Sequence, residues 1–175
     1  MRQIIALCVL FLSCMQAYAE TPTDSFKIES PVAADQGALP ELYTCDGKNI
    51  SPKISWSGKP AHTKTMALIV SDPDAPDGTF YHWILYNLPP HTQGLDEDFI
   101  QLPGGTQSGR NSFGNTSYNG PCPPAGSSHH YIFTLYALDK KLNLPIGIEA
   151  PALLEAMRNH ILDKTTFVAV YTRWK

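Results

Sequence analysis

Fifteen prolines, all downstream of residue 20, cut the chain into short pieces and set the first limit on what it can fold into. They stand in "SPV", "LPEL", "ISPKISW", "DPDAPDG", "NLPPH", "QLPGG" and "GPCPP", among others. Proline has no N–H to give a helix interior or a central strand, so each one marks an end, an edge or a turn. Between these breakers lie short runs of strand character. "TMALIVSD" (65–72) is a continuous apolar run suited to a buried strand. "FYHWILYNL" (80–88), "YIFTLYAL" (131–138) and "TFVAVYTRW" (166–174) are rich in aromatic and β-branched residues. This pattern predicts a mainly β chain, a sandwich or a related two-sheet architecture. One segment differs. "APALLEAMRNHIL" (150–162) places Pro151 at a first helical position and repeats Leu153, Leu154, Met157 and Ile161 at helical spacing. It predicts a peripheral amphipathic helix covering a sheet, with His160 toward solvent near its end.

The start of the chain has its own logic. Met1 and Arg2 precede "IIALCVLFLSC", an apolar stretch too short for a membrane span, and "AYA" follows with small residues at Ala17 and Ala19. Residues 1–19 therefore read as a secretory signal, leaving 20–175 as a single periplasmic or secreted domain. A competing reading makes "FLSC" a lipoprotein signal with Cys14 as its acceptor. No later apolar segment is long enough to span a bilayer, so stable membrane insertion is not expected. Cys8 and Cys14 leave with the signal, and Cys45 and Cys122 remain in an oxidising compartment. Two thiols there most economically form one disulfide; the alternative is two small buried hydrophobes. Loss of Arg2 leaves 12 basic against 16 acidic residues, a net −4. Without a basic stripe, a nucleic-acid partner is not expected.

Three segments concentrate residues that could do chemistry. In "SDPDAPDG", Asp72 and Asp74 flank Pro73 after a buried strand, where they could bind, act as bases or simply turn the chain. The two prolines there raise a cis peptide as an option. In "YHWILYN", strict strand alternation puts Tyr81 and Trp83 on one face, and His82, Ile84 and Tyr86 on the other. Alone, His82 reads as a satisfied core histidine. In "PCPPAGSSHHY" (121–131), Pro121, Pro123 and Pro124 stiffen a loop that leads into two adjacent histidines. Alternation sets His129 and Tyr131 on one face and His130 on the other, if the strand begins that early. Gly120 and Gly126 would let the loop backbone approach a ligand. No HExxH, paired CxxC or nucleophile elbow is present, so neither a metal site nor a serine hydrolase is expected. Imidazoles, a tyrosine hydroxyl and an aspartate suit an oxyanion, the aspartate fixing one ring's tautomer.

Taken together, "DPDAP", "YHW" and "GPCPPAGSSHHYIFTLYAL" resemble the phosphatidylethanolamine-binding protein family, also called Raf kinase inhibitor-like proteins. "YTCDGKNISPKISWSG" and "GRNSFGNTSYNG" resemble its bacterial YbhB/YbcL branch, and the likeness runs from about Phe26 to Lys175. It implies two antiparallel β-sheets with peripheral helices and a rim pocket for phosphate, acetate or a phosphorylated head group. By motif, the implied pocket residues are Asp72, Ala75, Pro76, His82, Trp83, Gly120, Pro123, Pro124, His129 and Tyr131, with His130 pointing away. The implied function is non-enzymatic anion or phosphoryl-group binding without a cofactor or metal. It also implies protein partners such as a kinase or a serine protease, and a homodimer as one oligomeric option. The alternative is a weak phosphoester or metal-assisted hydrolase built on the same Asp and His residues.

Overall fold

The computed structural model describes residues 25–174, so the signal reading of 1–19 and the lipoprotein reading of Cys14 lie outside the described residues. Among the described residues nine strands and one α-helix follow in chain order. β1 (Lys27–Glu29), β3 (Ile54–Ser57) and β6 (Gly94–Leu95) form a three-stranded antiparallel sheet in the order β1-β3-β6. The larger sheet runs β2-β9-β8-β4-β5-β7. Its strands are β2 (Gly37–Ala38), β4 (Thr65–Asp72), β5 (Phe80–Leu88), β7 (Gln107–Ser108), β8 (Ser128–Leu138) and β9 (Ile161–Thr172). The expectation of antiparallel sheets holds except at one edge, where the two-residue β2 pairs parallel to β9.

The six-stranded sheet is covered on both faces, which explains the unbroken apolar run of β4. Met66, Leu68 and Val70 face the small sheet together with Trp83, Leu85, Phe133 and Phe167, and meet Trp56 of β3 there. Ala67 and Ile69 face the other way, where Ile84, Tyr86, Leu138 and Leu142 meet the helix. A strand buried on both sides has no polar face to show, so period-2 alternation vanishes.

α1 spans Ala150–Met157, shorter than the predicted 150–162, and buries Ala150, Leu153 and Met157. Pro151 lies in its first turn, where a missing N–H costs nothing. Ile161 continues the helical spacing in sequence yet opens β9, paired with Leu138. The backbone of His160 donates to Met157, and Asp139 N–H donates to the carbonyl of His160, closing a turn. The long β8–β9 ladder outcompetes one more helical turn, because a pairing of strands satisfies every backbone group while the helix would gain no further apolar contact. His160 lies past the helix end and its ring reaches Asp139 at 2.9 Å.

Candidate functional site

Three irregularities at one end of the large sheet build a polar cleft. The first lies where β4 meets β5. Val70 pairs with Trp83 but the next residue, Ser71, pairs with Tyr81, so His82 is the extra residue of a β-bulge. A bulge re-aims the side chain it carries. Strict alternation would put His82 with Ile84 and Tyr86, and that expectation is corrected here. The ring instead meets Tyr131 at 5.1 Å, on the face of Asp72. The second is the turn after Asp72. Asp72 Oδ1 accepts the N–H of Asp74 at 2.9 Å, the aspartate-turn geometry that Asp-Pro sequences favour. All peptide bonds among the described residues are trans, so the cis option is not taken up. The third is the proline loop. β8 starts at Ser128, early enough to bring both histidines into the ladder, His129 opposite Tyr171 and His130 opposite Val170.

These elements converge on a cavity of about 320 Å³. Asp72, Ala75, Pro76, His82, Pro123, Pro124 and His129 line it, all expected from the sequence. Asp77, Gly78, Thr79, Phe80, Phe113 and Cys122 line it too. Phe113 comes from "GRNSFGNTSYNG", and its ring stands edge-on to His82 at 5.5 Å and to Phe80 at 4.9 Å. A phenylalanine set among Gly, Asn and Ser residues is the one signal in the sequence for it.

Four expected residues fall elsewhere. Trp83 is buried in the inter-sheet core, edge-on to Tyr118 at 5.5 Å, because the bulge leaves it in register with Val70. Gly120 lies behind the cavity. A Cβ there would sit 2.1 Å from the carbonyl oxygen of Tyr43. The close approach that needs glycine is therefore to the chain's own backbone, with no ligand involved. Gly126, at φ 80°, opens onto free space and serves its turn. Tyr131 is buried with its ring edge-on to His82 and is absent from the cavity wall. Its hydroxyl has no hydrogen-bond partner among the described residues. Burial, and then the nearby Asp72 carboxylate, push its pKa well above the ordinary tyrosine value.

The donor and acceptor roles follow from the contacts. Nδ1 of His129 lies 2.7 Å from Asp72 Oδ2, both side chains buried. With Oδ1 engaged by Asp74, the carboxylate accepts from Nδ1–H and leaves Nε2 of His129 toward the cavity. Nδ1 of His82 lies 2.8 Å from the carbonyl oxygen of Asn119. A carbonyl can only accept, so Nδ1 carries the proton and Nε2 presents a lone pair. That Nε2 is buried and has no partner among the described residues. Burial holds the His82 pKa below the ordinary 6.5, against the opposing pull of the Asn119 carbonyl and Asp72. The Asn119 carbonyl is itself held in place. The Nδ2 of buried Asn111 shares its two hydrogens among Asn119 Oδ1 at 2.8 Å, the carbonyl of Ser117 at 2.9 Å and that of His82 at 3.1 Å.

His130 turns to the opposite side, as expected. Both its backbone N–H and its Nδ1 reach Asp74 Oδ2, at 2.8 and 2.7 Å. The same ring lowers the Asp74 pKa below the usual carboxylate range. A disulfide joins Cys45 to Cys122, Cα atoms 5.4 Å apart. The N–H of Cys45 donates to the carbonyl of Pro121 beside it. At the loop's far end, Gly126 and Ser127 exchange backbone hydrogen bonds with Arg173 of the β9 end. The proline loop is thus fastened at both ends. Among the described residues no group of three or more metal-ligating side chains is found. No helix among them is long and apolar enough to cross a membrane.

The chain is thus a two-sheet β domain with a buried Asp–His pair and a second imidazole around a small open cleft. The comparisons give it a family. The profile described as Phosphatidylethanolamine-binding protein matches residues 29–172. A UPF0098 protein of Methanothermobacter thermautotrophicus is 46% identical over 142 residues, 79% of this chain and 93% of the relative. LppC of Mycobacterium tuberculosis, named as a candidate lipoprotein, is 42% identical over 157 residues, 87% of this chain and 77% of the relative. Among solved structures, E. coli YbcL, described as a member of the mammalian PEBP family, superposes with a TM-score of 0.78. It is 32% identical, with 85% of this chain and 98% of that chain covered. This chain belongs to the phosphatidylethanolamine-binding protein family.

Proposed function

We propose that this chain is an extracytoplasmic, non-enzymatic binding protein for a small oxyanion, phosphate or the phosphoryl group of a larger partner. The observation that carries the reading is the convergence of Asp72, His82 and His129 on one cavity, with the Nε2 of His82 lacking any partner within the described protein. Asp72 holds His129 by Nδ1, so protonation of that ring places a charged N–H donor at the cavity. Pro76, Pro123 and Pro124 keep the walls from collapsing. The cavity is larger than a bare phosphate needs, and its outer wall of Phe80 and Phe113 suits the group that carries the phosphoryl. Such a carrier could belong to a small molecule or to a protein partner such as a kinase or a protease. The disulfide supports an oxidising compartment, as does a relative named as a candidate lipoprotein.

Calorimetric titration of phosphate into the wild type and His129→Ala, at about pH 7.5 and about pH 5.5, tests it. The wild type should bind more tightly at the lower pH, and the variant should lose most of that gain. Equal affinities in both proteins at both pH values refute the reading. A hydrolase is the second reading. It is favoured by one observation, the oriented His129, whose Asp72-backed ring has the form of a general base. Release of phosphate from p-nitrophenyl phosphate that His129→Ala abolishes would establish it.

A further inference from the structure

We propose that the cavity selects the protonated form of its oxyanion, taking a ligand that brings a proton over one of equal shape and charge that does not. The inference rests on the oxyanion reading above. Both imidazoles have spent their Nδ1–H inside the protein, His82 on the Asn119 carbonyl and His129 on Asp72. In its neutral form His129 therefore turns an acceptor lone pair, not a donor, to the cavity it lines, while the His82 Nε2 lone pair lies buried beside it and adds no donor. The other titratable groups around it do not reverse that sign. Asp72 from β4 and Asp77 from the turn line it, and neither lysine nor arginine is among the lining residues. Tyr131 of β8 stands behind Asp72, and Asp74 is engaged by His130 on the far side. A dianion with no proton of its own would meet the His129 lone pair and two carboxylates. Hydrogen phosphate, which matches sulfate in charge, can donate its own O–H to the His129 Nε2 lone pair, and dihydrogen phosphate or a phosphomonoester monoanion can go on to pass the proton along that line. The ring then becomes a charged donor to the oxygen it took the proton from. Sulfate and sulfate esters carry no such proton near neutral pH and must wait for the rings to be protonated from solvent. Burial of His82 makes that slower to come with acidification.

Calorimetry on the mature wild-type protein separates the two anions, using inorganic phosphate and inorganic sulfate at matched ionic strength. One charge-assisted hydrogen bond corresponds to about ten- to a hundredfold in affinity. Phosphate should exceed sulfate by that factor near pH 7.5, and the ratio should narrow as the pH is lowered toward about 5.5. Equal affinities near pH 7.5, or a preference for sulfate, overturn the inference and leave the oxyanion reading standing. A phosphate preference that acidification leaves unchanged overturns it too, since shape rather than the proton would then decide. Binding of neither anion at millimolar concentration overturns both readings.

Discussion

Replacing Cys45 and Cys122 together by alanine should cost this domain a large part of its stability, and the size can be worked from the chain. The disulfide joins residues 77 apart in sequence. In the chain-entropy model, closing a loop of that length removes about 15 cal/mol/K from the unfolded ensemble, or about 4.5 kcal/mol at 25 °C. Domains of this size have a total stability of only about 5–15 kcal/mol, so the bond decides whether a comfortable margin exists. For a domain of this size the loss translates into roughly 10–20 °C in Tm. Urea denaturation of the oxidised wild type and the double variant is the assay, followed by a tryptophan signal and by circular dichroism. The variant's midpoint should fall and its m-value should rise, because an unfolded chain without the cross-link exposes more surface. Cys122 also lines the cavity and sits in the proline loop, so phosphate affinity should fall in the variant at temperatures where it remains folded. A loss below about 1.5 kcal/mol with an unchanged m-value would refute the entropic account.

Two further perturbations address the site from behind. Gly120→Ala drives a methyl group into the Tyr43 carbonyl and to within 3.0 Å of the Thr44 Cα, backbone atoms that cannot rotate away. It should destabilise by about 1–3 kcal/mol and weaken anion binding through His82, as thermal denaturation and calorimetry would show. The pH dependence of the free protein follows from His82. Its folded pKa lies below the unfolded value of 6.5, so below that pH the unfolded chain binds more protons than the folded one. Stability should therefore fall as the pH drops through 6.5 and below. His82→Gln should flatten that part of the profile in urea titrations, and saturating phosphate should offset it in the wild type.

Much of the architecture was legible because local chemistry and tertiary structure agree. The prolines bound the strands, and "TMALIVSD" and "FYHWILYNL" became β4 and β5 with the expected limits. Two cysteines in a chain with an export-like start met in one bond. The helix end was not legible, since Ile161 fits a helical period and a strand equally well, and only the distant partner Leu138 chooses between them. What the sequence by itself determined is the set of side chains available to the site and the stiff turns that carry them. Only the tertiary structure decided their direction. A single bulged residue turns His82 onto the Asp72 face and leaves Trp83 in the core. Pairing register is a property of two strands at once, so one extra residue opposite Val70 and Ser71 leaves no mark in the alternation of either strand alone.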